Sequence, residues 1–212
     1  AGQQQIAARE KKSNDALSQK DGGGPQALVQ RAEVEFLKGR FMQAFYLLDR
    51  LVHRDEANTQ AWSLLGLTRA RMQATEGFLS EYGALPAATD QGWDDLVKRC
   101  AASNLWDAAA TYMGHAPGGN PELRLATLAQ EYHQPQRAED FLKKATEKAP
   151  NDPLPWLRLG DLAVQAKDLN RAGACLAEAQ KRGASDDQLK PLRDQLGAPA
   201  TPGAAPVQKI VN

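Results

Sequence analysis

Neither sign of charge predominates in this 212-residue chain, which has 26 lysines and arginines against 26 aspartates and glutamates. Proteins that bind nucleic acid need a basic surface to neutralise phosphates, so the composition argues against a nucleic-acid partner. Aromatic residues make up only 6% of the chain, and the alternation of β-branched and polar residues that is typical of strands is nowhere sustained. The sequence therefore predicts an all-α protein.

Cysteines are few, and long apolar runs are missing. Cys100 and Cys175 are far apart and neither belongs to a C-x-x-C pair, so their spacing excludes a zinc site and a thioredoxin-like site. A disulfide is the alternative, but isolated cysteines in helices are more often small buried hydrophobic residues. No run of 18 apolar residues is present, and the sequence therefore predicts no transmembrane segment.

The residue patterns of common catalytic sites are also missing. The chain has no G-x-S-x-G, no P-loop and no G-x-G-x-x-G motif. Its three histidines are scattered, and in carboxylate pairs such as Asp94 and Asp95 the adjacent residues point to different sides of a helix. We therefore predict a protein that is not an enzyme and has no cofactor and no metal site.

The two ends differ in composition from the middle. Residues 1–24 are polar, rich in glutamine and charge, and end on three glycines, which predicts a flexible N-terminal tether. Residues 198–212 are rich in alanine and proline, which predicts an extended C-terminal tail after a folded region at 25–197. The first residues, Ala-Gly-Gln, favour a processed N-terminus after a signal-peptidase site or a lipidated cysteine upstream of residue 1, with a cytosolic protein as the alternative.

The middle of the chain repeats itself. The segment 120–152 aligns with the segment that follows it at an offset of 34 residues. The offset pairs small or apolar residues with one another: Leu125 with Leu159, Ala126 with Gly160, Ala129 with Ala163, Ala138 with Ala172, Leu142 with Leu176, and Ala145 with Ala179. Small residues allow two helices to approach closely, and leucines fill the seam between hairpins. We therefore predict repeated helical hairpins in which Gly160 faces Ala172, followed by a last helix from Ser185 to about Leu196.

The repeat carries a family signature. Trp156, Leu159, Gly160, Ala163, Ala172, Leu176 and Ala179 follow the pattern W-x2-L-G-x2-Y…A-x3-F-x2-A, and Trp62, Leu65 and Gly66 repeat its first part. The chain thus resembles the tetratricopeptide repeat (TPR) family. The resemblance implies a right-handed superhelical solenoid of antiparallel hairpins, with repeats at 25–58, 59–88, 89–118, 119–152 and 153–186 and a C-terminal capping helix. The third repeat is about four residues short, and residues 83–92 before it are predicted to form a loop.

The resemblance also implies a binding surface. In TPR arrays the first helix of each hairpin lines a concave groove through positions 2, 5, 9, 12 and 13 of the repeat. The residues at these positions predict a partner-binding groove formed by Val29, Glu33, Phe36, Ser63, Leu67, Arg71, Leu123, Thr127, Glu131, Leu157, Asp161 and Gln165. The lysines and asparagines with which some TPR domains clamp a terminal carboxylate are missing from these positions. The groove is part apolar and part acidic, which favours a protein partner with an amphipathic helix or an extended apolar peptide.

These features together predict a non-catalytic protein–protein interaction scaffold. The chain resembles the pilotin-like TPR lipoproteins of type IV and tight-adherence pilus systems. That resemblance implies a periplasm-facing assembly factor at the inner leaflet of the outer membrane, which binds a secretin or another envelope component of a pilus or secretion machine. One alternative is a cytosolic TPR co-chaperone or secretion chaperone, and another is a structural subunit of a large complex.

Overall fold

The computed structural model describes residues 2–18, 24–85 and 88–197. These residues form helices and no strands, which confirms the all-α prediction. The helices are α1 (Gly2–Leu17), α2 (Gly24–Leu37), α3 (Phe41–Val52), α4 (Thr59–Arg71), α5 (Thr75–Tyr82), α6 (Asp90–Ala102), α7 (Trp106–His115), α8 (Pro121–Glu131), α9 (Pro135–Lys148), α10 (Leu154–Gln165), α11 (Leu169–Lys181) and α12 (Asp186–Leu196). The predicted C-terminal tail at 198–212 lies outside the described residues.

Consecutive helices pair into hairpins, and each of the five predicted repeats contains one pair. In the first part of the chain α2 packs on α3, α4 on α5 and α6 on α7. In the second part an ion pair between Lys148 and Glu122 joins α9 to α8, while α10 packs on α11. The chain divides after Pro121 into two compact units. Unit 1 contains α1 to α7, and unit 2 contains α8 to α12.

The turn between the two helices of a hairpin has the same backbone geometry in all five hairpins. One residue of each turn has a left-handed conformation: Gly39 (φ 75°), Gln73 (φ 56°), Asn104 (φ 57°), His133 (φ 54°) and Lys167 (φ 61°). The next amide then donates to the carbonyl five residues earlier, as Asp168 N does to Ala163 O at 2.9 Å. This is a Schellman turn, which satisfies carbonyls at the end of the first helix.

The number of residues between successive left-handed residues gives the length of each repeat. Gln73 and Asn104 are 31 residues apart, and Asn104 and His133 are 29 apart, whereas His133 and Lys167 are 34 apart. Both intervals that meet at the third turn are therefore shorter than 34 residues, and the short helices are α5 of the second hairpin, with 8 residues, and α7 of the third, with 10. The short α7 agrees with the short third repeat that the sequence predicted.

These turns predict a gain of stability on substitution by glycine. A left-handed conformation costs a side-chain-bearing residue about 1 kcal/mol, a cost that glycine lacks. Gln73 and Lys167 are exposed, so Gln73→Gly and Lys167→Gly are each expected to raise the free energy of unfolding by about 1 kcal/mol in urea titrations followed by circular dichroism. Asn104→Gly is the matched control with a smaller gain, because asparagine tolerates this conformation. A loss of stability in Gln73→Gly would contradict the turn geometry.

Residues 2–17 form helix α1, which packs on α2, and the prediction of a flexible tether over 1–24 is wrong for this segment. The physical reason is a set of ion pairs between the two helices. Lys38 pairs with Glu10, and Arg9 Nη1 lies 3.0 Å from Glu33 Oε1. The partners are 28 and 24 residues apart in sequence, so local composition does not reveal them.

The final helix begins as predicted, but it changes the environment of Gly160. Ser185 caps α12 through its hydroxyl, which accepts from Gln188 N at 3.3 Å, while Gln188 Oε1 accepts from Ser185 N at 2.9 Å. This is a capping box. A side chain added at Gly160 would meet Leu192 of α12. Gly160 was predicted to face Ala172, and its close neighbour is instead Leu192, because α12 packs on α10 as the next hairpin would.

Both cysteines are buried free thiols, as the sequence predicted for small hydrophobic residues. Burial raises the pKa of Cys100 to about 12 and also raises the pKa of Cys175. A thiol with a raised pKa is a weak nucleophile at neutral pH.

Candidate functional site

In unit 2 the first helices of two successive hairpins present side chains at equivalent positions. Spacings of four or seven residues keep these side chains on one side of each helix. We define the unit-2 face as the half-buried or exposed residues Leu123, Thr127 and Glu131 of α8 and Leu154, Asp161 and Gln165 of α10. The other groove residues that the sequence predicted lie elsewhere or are buried.

Four of the predicted groove residues are buried in this structure: Val29, Ser63, Leu67 and Leu157. Leu157 belongs to a core cluster with Leu189 and Leu192, because α12 covers this side of α10. Leu157 was predicted to line the partner-binding groove, but its buried side chain is not open to a partner in the free chain. Ser63 and Leu67 are buried because α4 lies among α2, α3, α5 and α6, and all its residues from 61 to 68 are buried.

The remaining predicted residues of unit 1 already have partners within that unit. Glu33 accepts a hydrogen bond from Arg9 of α1, and the ring of Phe36 lies 5.3 Å from that of Phe41. Arg71 is exposed, and its Nη2 donates to Ser103 O at 3.0 Å. Of the twelve predicted residues, those of α8 and α10 other than Leu157 are thus the ones left at half-buried or exposed positions of unit 2.

The unit-2 face combines apolar side chains with hydrogen-bond acceptors. Burial raises the pKa of the half-buried Asp161, although Arg158 acts in the opposite direction. The Thr127 hydroxyl donates to Leu123 O at 3.1 Å, so its oxygen is left to accept. Glu131 adds an exposed carboxylate at the end of α8. Such a face suits a segment with apolar side chains and N–H donors.

Leu154 is the residue that the sequence analysis missed. It lies at position 2 of the repeat at 153–186, one of the groove positions of the family, and 39% of its surface is exposed. The signal was therefore available from the repeat register. An exposed leucine at the start of α10 extends the apolar part of the unit-2 face.

An ion cluster holds the two second helices of unit 2 together. Arg171 Nη1 and Nη2 of α11 lie 3.0 Å and 2.7 Å from the two carboxylate oxygens of Glu139 in α9, and Lys143 Nζ lies 2.7 Å from Glu139 Oε1. Hydrogen bonds from Arg171 and Lys143 lower the pKa of Glu139 to about 2. The Arg171–Glu139 ion pair thus connects α9 to α11, the second helices of two neighbouring repeats.

This cluster predicts a pH dependence of stability. Because the Glu139 pKa is about 2 in the folded chain against an ordinary value of 4.5, its contribution is fully present above about pH 5 and is lost as the pH falls toward 2. We expect Glu139→Gln to lower the free energy of unfolding by about 1 kcal/mol at pH 7 in urea titrations. The difference from the unmodified chain should shrink below pH 4.5, whereas the exposed control Glu147→Gln should have no such effect. A pH-independent difference would contradict the cluster's role.

Comparisons with known proteins concern the repeat and the fold. The family model described as tetratricopeptide repeat matches residues 129–196. Among solved structures, PilW, described as a widely conserved type IV pilus biogenesis factor, is 16% identical, with a TM-score of 0.38 over 82% of this chain and 86% of that one. Pseudomonas aeruginosa PilF is 13% identical, with a TM-score of 0.38 over 87% and 84%. A TPR protein from Parabacteroides merdae is 16% identical, with a TM-score of 0.39 over 92% and 79%.

These likenesses are too low to carry an inference about function, and no curated protein matches the chain. In the segments that the structure describes, no helix has both the length and the apolar composition that a membrane span requires. The TPR fold is typically a non-enzymatic scaffold for protein interactions, and this is the function class that the family match gives. The family match thus identifies a tetratricopeptide-repeat region at residues 129–196, and the same hairpin turn occurs in all five helix pairs.

Proposed function

We propose that the chain is a non-catalytic scaffold that binds an apolar or amphipathic segment of a partner protein on the unit-2 face. The observation that carries the proposal is the exposure of Leu154 on α10, seven residues before the half-buried Asp161. Apolar side chains and hydrogen-bond acceptors thus occupy the helix positions through which TPR proteins bind peptides.

The energetics of this face favour a segment with a few apolar anchors. Each leucine that becomes buried against a partner contributes about 1–3 kcal/mol. When ionised, Glu131 and Asp161 accept hydrogen bonds and cannot donate them, so the partner must supply N–H donors or a cation. An amphipathic helix with apolar anchors on one side and donors at its edge meets both requirements.

The test is a pair of variants with equal changes in charge. Thr127→Arg with Gln165→Arg places two bulky cations on the unit-2 face at exposed positions, whereas Gln136→Arg with Gln180→Arg places them at exposed positions of α9 and α11. Affinity purification of each variant from the native cells, quantified by mass spectrometry, should show a partner that is lost with the first pair and retained with the second. Equal recovery with both pairs would overturn the proposal.

We further propose that the partner is a secretin or another envelope component of a pilus or secretion machine, and that the chain assists its assembly at the outer membrane. The sequence resemblance to pilotin-like TPR lipoproteins supports this narrower proposal. Fractionation of native cells should find the chain in the outer-membrane fraction, together with the secretin after crosslinking. Recovery in the cytosolic fraction would favour a secretion chaperone and overturn the envelope assignment, while the unit-2 face could still bind its client.

A further inference from the structure

Helix α1 is attached to α2 mainly by polar contacts. Glu10 pairs with Lys38 and lies 3.9 Å from Arg31 Nη1, and Arg31 Nη1 donates to Asn14 Oδ1 at 2.7 Å. Arg9 Nη1 donates to Glu33 Oε1 at 3.0 Å. These are partly exposed ion pairs, which contribute little individually and weaken with salt.

The apolar contribution of α1 is small. Ser13 is the one buried residue of this helix, and its hydroxyl has no hydrogen-bond partner among the described residues. Ile6 and Leu17 are only half-buried. A buried hydroxyl without a hydrogen-bond partner is unfavourable. An apolar side chain at the position of Ser13 would therefore stabilise the packing of this helix on α2 more than serine does.

The surface of α2 toward α1 has a matching pattern. Ala27, Arg31 and Val34 follow one another at spacings of three or four residues and share one side of α2, and Lys38 comes directly after the end of the helix. Ala27 and Val34 are buried, whereas Arg31 and Lys38 keep part of their side chains exposed. Along this side, small apolar residues therefore alternate with cations.

We propose that this side of α2 is a second interaction surface, which α1 occupies in a displaceable way, and that its partner is an amphipathic helix. The partner helix carries a carboxylate at the place of Glu10, facing Arg31 and Lys38, and an apolar residue at the place of Ser13. Such a helix keeps the ion pairs that Glu10 makes and avoids the unfavourable buried hydroxyl of Ser13. The surface is independent of the unit-2 face.

The test uses the full chain and a labelled peptide. Glu10→Lys places a cation against Arg31 and Lys38, which releases α1, so amide exchange in residues 2–17 should accelerate by about tenfold. The probe is a fluorescent peptide with the 16-residue sequence of α1 and the change Ser13→Leu. It should bind the Glu10→Lys chain about tenfold more tightly than the unmodified chain, whose own α1 competes. A control peptide with both Ser13→Leu and Glu10→Lys should bind the Glu10→Lys chain at least about tenfold more weakly than the probe does.

Amides of the buried helix α4 report whether the variant is folded. If the α4 amides lose protection in Glu10→Lys, the ion pairs of α1 are weakened in the unmodified chain instead, by raising NaCl from about 0.05 to about 0.5 M. The added salt should accelerate amide exchange in α1 and not in α4. Exchange in residues 2–17 that responds neither to the substitution nor to salt would overturn the proposal. Equal binding of the peptide to both chains, or binding to neither, would also overturn it.

Discussion

Replacing Gly66 with leucine is expected to lower the free energy of unfolding of unit 1 by about 3 kcal/mol. A Cβ atom at this position would lie 2.6 Å from Leu96 Cδ1 and 2.8 Å from Phe78 Cζ, closer than unstrained contacts allow. Phe78 cannot yield easily, because it is fully buried, stacks on Tyr82 at 5.0 Å and meets the ring of Tyr112 at 5.5 Å. The loss should appear in urea titrations followed by tryptophan fluorescence.

The matched control is Gly114→Leu. Gly114 lies in α7 and is exposed, and a Cβ atom there meets nothing within 4 Å. Leucine is a better helix former than glycine, so the control is expected to retain or slightly raise stability. If both substitutions had the same effect, Gly66 would not lie at a close approach of helices, and the repeat register of unit 1 would be contradicted.

Leu192→Ala is expected to lower the free energy of unfolding of unit 2 by about 3 kcal/mol. Leu192 is 2% exposed and occupies the space that a side chain at position 160 would need. It belongs to a core cluster with Leu157 and Leu189. Its removal leaves a cavity between α10 and α12. The control Leu169→Ala truncates a leucine that is 54% exposed, and it is expected to change stability by less than about 0.5 kcal/mol in the same urea titration.

A second substitution identifies the cause of this loss. Gly160→Ala alone should be destabilising, because its methyl group would collide with Leu192. Combined with Leu192→Ala, the same methyl group enters the cavity, so the double variant should be more stable than the sum of the two single effects indicates. Strict additivity would mean that the two side chains do not meet and that α12 does not cover α10.

The repeat register was accessible from the sequence because its signals are local. Trp62 and Gly66 are buried on α4 at the spacing of the family signature, and their counterpart Gly160 is buried on α10. Ser185 followed by Gln188 is a capping box that can be read without a structure, and it begins α12 as expected. Periodicity and capping depend on residues within one or two turns of each other, so sequence analysis recovers them.

The features that were mispredicted depend on contacts between distant parts of the chain. α1 has a polar composition, and ion pairs to α2 stabilise it. Leu157 has the same repeat position as Leu123, yet it is buried because α12 packs over it. A repeat rule assigns equal exposure to equal positions. The last hairpin of an array has a different neighbour, so the rule does not hold there.

Site-specific photocrosslinking tests the central claim, that the unit-2 face binds a protein segment, most directly. A photoreactive amino acid is placed in turn at Thr127 and Gln165 on the face, and at Gln136 and Gln180 on the second helices, all of them exposed positions. In the native cells the two face positions should yield adducts with the same segment of the same protein, and the two control positions should not. Adducts from Gln136 and Gln180 with none from Thr127 and Gln165 would contradict the account and assign binding to the second helices.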